Sequence, residues 1–132
     1  VVLYNKTVSV PCIGLLDSGN LLTMPLSGNP VHIADAALLQ KLVDEKTVQK
    51  EIPYRALGNP QGKLQVYCMD GMKVETEPAK FCDWKQVWVG CAENGVLCNK
   101  PYQLILHASV ADHCGCTKRS IPNDKKTEKG ET

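Results

Sequence analysis

The sequence lacks the features that most readily announce a function. It carries no charge excess: 15 basic side chains face 14 acidic ones over 132 residues, for a net charge of +1. That balance removes any electrostatic case for nucleic acid or an anionic membrane surface as partner. No apolar run comes near the roughly 18 residues of a spanning helix, and no basic-then-apolar stretch acts as a signal peptide. There is no internal repeat. The seven cysteines, Cys12, Cys68, Cys82, Cys91, Cys98, Cys114 and Cys116, are odd in number and irregularly spaced, unlike a secreted disulfide framework. Several fall at the apolar phase of strands, where a free thiol behaves as a small hydrophobe. The expected setting is reducing and cytosolic. The chain starts at Val1 rather than methionine, which reads as an excerpt of a longer protein, with any upstream membrane anchor out of view.

What is present suffices for one domain with a core. "VVLY" and "TVSVPC" read as a β-hairpin turning at Asn5-Lys6, with Val8, Val10 and Cys12 on one face. The strand then continues through Ile13 to Leu16 and stops at Asp17. "MPLSGNP" carries turn chemistry, and "VHIA" is a short strand. Asp35 caps a helix expected over "AALLQKLVDEK", where Leu38, Leu39, Leu42 and Val43 form one stripe. "IPYRALGNPQG" has no helical period and reads as a loop or hairpin tip. "KLQVYCMDGMKVE" reads as a second hairpin turning at Asp70-Gly71. "WKQVWVG" and "YQLILHA" are further strands. From Thr117 the chain is charged and nearly without apolar residues, so residues 1–116 are expected to form the domain and 117–132 a disordered tail. The expected class is mainly β with one or two helices.

The chemistry centres on "GLLDSGN", residues 14–20, where an apolar strand ends on a carboxylate and turns. A lone exposed carboxylate is a weak catalyst. Two forced together cannot both ionise, so they share one proton and titrate as a unit. The ionised member then takes a proton from water while the protonated member hydrogen-bonds the scissile carbonyl; the aspartic-protease dyad is the standard instance of this rule. An apolar strand anchors such an acid, a small hydroxyl such as Ser18 can bond across to a matching loop, and Gly19 lets the backbone turn closely. Asp, Ser and Gly are also favoured turn residues, so the tripeptide alone is equally a plain turn after a strand. The chain holds a single "DSG"; neither Asp70 nor Asp112 follows two apolar residues or precedes Ser/Thr-Gly. A dyad therefore requires two Asp17 residues across a two-fold axis, at an isologous homodimer interface.

The stretch "GLLDSGNLLTMPLSGNPVHIADAALL", followed by "IPYRALG", "VWVG" and "YQLILH", resembles the C-terminal domain of the sporulation sigma-E factor processing peptidases of endospore-forming bacteria. The similarity runs from about residue 1 to residue 112. Its specific part is the "LDSGNLL…P…P" block, because a generic turn does not need Asn20, Pro25 and Pro30. The resemblance implies a retropepsin-like aspartic protease half, a closed β-barrel with one catalytic loop per chain. It implies Asp17 as the catalytic acid, with Ser18, Gly19 and Asn20 completing the loop. It also places a candidate flap at residues 55–62, with Arg55, Gly58, Pro60 and Gly62. The implied substrate is a sigma factor precursor, cleaved in its pro-sequence at the mother-cell, cytoplasmic face of the membrane. An upstream membrane segment and an activating signalling protein are the further implied partners. A competing expectation is a non-catalytic interaction or regulatory domain, inactive without its membrane portion. The chain has "LHASV" at residues 106–110 where a family sequence nearer "LHPDL" is expected.

Other constellations read as structure. "HCGC", His113 to Cys116, has zinc-ligand types with Cys91 and Cys98, but its spacing fits no usual zinc module, and no metal or other cofactor is expected. His32 and His107 lie in apolar strands and read as satisfied core histidines, and Trp84 and Trp88 as packing residues.

Overall fold

A computed structural model describes residues 1–54, 62–92 and 96–115, the side chains of residues 113–115 excepted. Alternating apolar positions build β1 (Val2–Asn5) and β2 (Val8–Pro11) into the expected hairpin, in the register Leu3↔Val10 and Asn5↔Val8, but the turn is Lys6-Thr7 rather than Asn5-Lys6 because Asn5 stays in the ladder. Its turn needs a left-handed residue, and Lys6 supplies it at φ 56°. β3 (Gly14–Leu16), β4 (Val31–Ala34) and α1 (Ala36–Gln40) follow in order. After these come β5 (Gln49–Pro53), β6 (Lys63–Glu77), β7 (Lys80–Cys91), β8 (Leu104–Leu106) and α2 (Ser109–Gly115).

The eight strands among the described residues join one sheet. Its path runs β2-β1-β6-β7-β4-β8-β3, with β5 added on β6. β6 and β7 form the long antiparallel spine. The other edge of β6 is shared, with β5 on its first third and β1 at Gly71–Lys73. Two apolar clusters result. The larger packs Leu3, Met69, Met72, Val89 and Leu104 against α1; the smaller gathers Met24, Val31, Ile52, Leu64 and Val66.

The mainly β class with short helices is as expected. The closed barrel is not found: the sheet is open, and its path ends at β2 on one side and β3 on the other. The expected hairpin at Asp70-Gly71 is also corrected, because β6 runs straight through both residues and the chain turns at Pro78-Ala79. There Ala79 adopts φ 66° and donates its N–H to Glu75 Oε2 at 3.1 Å. Gly71 serves a cross-strand contact instead. Tyr4 lies opposite it in β1, and a Cβ at Gly71 would run into the Tyr4 ring. Asp70 serves the neighbouring hairpin, its Oδ2 accepting the Lys6 N–H at 2.7 Å.

The helix after Asp35 is shorter than its apolar stripe. It ends at Gln40, yet Leu38, Leu39 and Leu42 are all buried. Asp35 occupies the N-cap position with extended backbone but makes no side-chain cap bond. Asn5 closes the far end, Nδ2 donating to Leu42 O at 2.9 Å. Among the described residues no helix is long and apolar enough to cross a membrane. The expected tail, 117–132, lies outside the described residues.

Candidate functional site

β3 carries Asp17 to the end of the sheet. The strand is three residues long and held on one side by β8, in the parallel register Gly14↔Leu104, Leu15↔Ile105 and Leu16↔Leu106. Gly14 is required by the closeness of this contact, since a Cβ there would meet Val1 at 2.9 Å and Leu106 at 3.2 Å. β8 in turn lies antiparallel to β4, with Ile33↔Ile105 and Ala34↔Leu104. A strand from late in the chain thus sits between two early ones. Gln103 adds a brace on the approach to β3: its N–H donates to Ile13 O at 3.0 Å, and its side-chain oxygen accepts the Ile13 N–H at 3.0 Å.

After Leu16 the backbone makes a tight turn. Asp17 Oδ1 accepts the Gly19 N–H at 2.8 Å, and Asp17 O accepts the Asn20 N–H at 3.0 Å. Asp17 is half-buried, whereas Ser18 and Gly19 are exposed. Asn20 is buried and spends its groups on anchoring. Its Nδ2 donates to Val31 O at 3.3 Å, and its Oδ1 accepts the Leu22 N–H at 3.2 Å. Its carbonyl accepts the Ala108 N–H at 2.9 Å. The four residues singled out from sequence therefore form one unit, three at its surface or half-exposed and the fourth rooting it.

The flap residues are only partly placed. Arg55, Gly58 and Pro60 lie outside the described residues. Gly62 closes the base of its hairpin, its carbonyl accepting the Tyr54 N–H at 2.8 Å, where β5 meets β6. That base and the segment after Asn20 share the smaller apolar cluster, against which both Leu22 and Tyr54 pack.

The surroundings of Asp17 are unusually apolar for an exposed surface. Ile13 (61% exposed), Leu16 (50%) and Leu21 (70%) flank it, with Leu15 partly exposed on the same strand. A short edge strand with open backbone groups and exposed leucines is a surface suited to pairing. A plain turn has no need of them.

Sequence reasoning missed the polar junction beneath the loop. His32 on β4 is buried, and its Nδ1 accepts the His107 main-chain N–H at 2.9 Å. His107, just past β8, is 7% exposed. Ser109 presents its N–H at 3.0 Å and its hydroxyl at 2.9 Å to His107 Nδ1, so the proton of the neutral ring sits on Nε2. That Nε2 is buried without a hydrogen-bond partner among the described residues. Burial, with a smaller contribution from His107, pulls the pKa of His32 down to about 4. The pairing spans 75 residues, and neither histidine has a local signature; only the antiparallel pairing of β4 with β8 would have brought it into view.

Burial pushes Cys12, Cys68 and Cys91 up, which leaves them protonated at neutral pH. Among the described residues no three His, Cys, Asp or Glu side chains gather to hold a metal ion. The side chains of His113, Cys114 and Cys116 lie outside the described residues.

A profile of the peptidase family described as sporulation factor SpoIIGA matches residues 1–110, a span that contains the whole sheet, the Asp17 loop and the His32–His107 junction. No curated protein and no solved structure gives a significant match.

Proposed function

Since the chain belongs to the SpoIIGA sporulation-factor family of peptidases, we propose that it is the catalytic part of a membrane-associated aspartic endopeptidase that removes the pro-sequence of a sporulation sigma factor precursor. Two copies meet across a two-fold axis so that each contributes Asp17 to one dyad. In that dyad the two carboxyls hold a single proton. The ionised one takes a proton from a bound water, whose oxygen attacks the scissile carbonyl. The protonated one hydrogen-bonds the carbonyl oxygen as charge develops there. The tetrahedral intermediate collapses when the carboxyl that took the proton from water passes it to the amide nitrogen, the carbonyl re-forms and the C–N bond breaks, which restores the singly protonated dyad with no covalent enzyme intermediate.

The observation that carries the reading is the setting of Asp17, a half-buried carboxylate at the end of an edge strand, with Leu16 before it and Leu21 beyond its turn both exposed. Turn chemistry explains the loop hydrogen bonds. It does not explain exposed leucines on both sides of the turn in sequence, whereas a self-complementary interface does. Leu22, five residues after Asp17, and Tyr54, at the base of the β5–β6 hairpin, pack against one apolar cluster, which supports a cover over the site at that hairpin.

The test is Asp17→Asn. The amide keeps the shape and the Gly19 bond but cannot share a proton, so cleavage of a sigma factor precursor is expected to vanish while the far-ultraviolet circular dichroism is unchanged. Retained turnover would remove Asp17 from the chemistry.

A further inference from the structure

The edge of β4 serves two masters. At Ile33 and Ala34 it pairs with β8, but at Val31 both backbone groups have gone to the Asp17 loop. The Val31 N–H donates to Leu22 O at 2.9 Å, and Val31 O accepts from Asn20 Nδ2 at 3.3 Å. Continuing the β4–β8 register would set His107 opposite Val31, whose groups are taken. The buried His107 N–H is left without a backbone acceptor on β4, and the ring of His32 fills that role at 2.9 Å.

One residue further on, the Ala108 N–H holds Asn20 O, and the Asn20 N–H holds Asp17 O. The loop is therefore gripped from two sides, by Val31 of β4 and by Ala108 at the start of α2. His32 is the tie between those two grips. We propose that His32 is a positioning residue for Asp17, its Nδ1 acting as a surrogate backbone acceptor that locks β4 to the β8–α2 junction and so fixes the carboxylate where the chemistry needs it. The inference rests on Asp17 being the catalytic acid.

The stereochemistry of the acceptor supplies the test. Asparagine places Oδ1 where Nδ1 of histidine stands; glutamine reaches only the Nε2 position; leucine offers no acceptor. His32→Leu, His32→Gln and His32→Asn are compared on a peptide spanning the pro-sequence junction of a sporulation sigma factor precursor, with Asp17→Asn alongside. Because a displacement of about 1 Å in a catalytic group costs on the order of a hundredfold, kcat is expected to fall roughly ten- to a hundredfold in the Leu and Gln variants. KM stays within about threefold of the parent, and the Asn variant recovers most of kcat. Equal kcat in all three, or an Asn variant as impaired as the Leu variant, overturns the assignment.

Substitution at a buried site can cost the fold, so amide hydrogen exchange on the unmodified chain gives a second measurement. The His107, Ala108 and Asn20 amides are expected to be protected together, and free exchange at His107 overturns the tie. Cleavage by Asp17→Asn at the parent rate would sink the assignment of Asp17 as the catalytic acid instead, and the exchange pattern would still decide whether the tie exists.

Discussion

His32 Nδ1 can take the His107 N–H only while its ring is neutral, and burial enforces that by holding the pKa near 4 against an ordinary 6.5. In the unfolded chain the ring takes up a proton as pH drops through about 6.5; in the fold it resists until about 4. The contribution of His32 to stability is thus full above pH 6.5, shrinks as pH falls, and is gone below about 4. The span corresponds to about 3 kcal/mol. Asp44, held down to about 2 by Lys6 and the Lys46 N–H, loses its contribution only at more acid pH, so the two do not overlap. Thermal melting from pH 7.5 to 4 is expected to show this decline, and His32→Asn to flatten it. The turn at Asp17 was legible in the sequence and the His32–His107 bond was not, for a physical reason. Asp17, Gly19 and Asn20 bond within one turn, where residue type dictates geometry. His32 and His107 matter only through a pairing that the fold creates.

At the scale of elements, "Asp-Gly" in residues 70–71 carries a hairpin signal that the protein uses otherwise. Asp70 accepts a bond from the β1–β2 turn, and Gly71 leaves room for the Tyr4 ring, whose hydroxyl donates to Asp83 at 3.1 Å and accepts from Lys85 at 2.8 Å. Turn residues are read from their neighbours in sequence, while a glycine beneath a cross-strand ring is visible only once strands are paired. Gly71→Ala is expected to displace Tyr4 and lower stability by about 1–3 kcal/mol, read as a lower urea midpoint with an unchanged slope. The shortened α1 makes the same point. Leu38, Leu39 and Leu42 revealed the buried face, but the helix stops at Gln40 and the Leu42 carbonyl beyond it is held by Asn5, a residue from a distant hairpin.

At the scale of the whole molecule, the strand content and most strand positions were legible, because alternation survives in any β arrangement. The open sheet was not, since closure depends on which strands end as edges. One of those edges is β3, with Leu16 and Leu21 exposed beside Asp17. Cleavage is therefore expected to fall faster than linearly on dilution; a rate proportional to concentration down to nanomolar levels would argue against a site shared between copies. Leu21→Asp is expected to weaken self-association in sedimentation experiments and to lower activity, leaving the melting temperature of the dilute chain within about 2 °C, as surface changes do.

The pairing of Leu16 with Leu106 joins positions 90 residues apart in a chain of 132. A growing polypeptide thus carries Asp17 long before it gains β8, the strand with which β3 pairs. Synthesis itself delays the hazard: copies that still lack β8 carry the carboxylate beside an unpaired strand, so the proposed proteolytic centre cannot ripen before that strand is made. A version ending at Gln103 should bind no substrate-mimicking inhibitor and cleave nothing, even at concentrations where the chain that includes β8 is active.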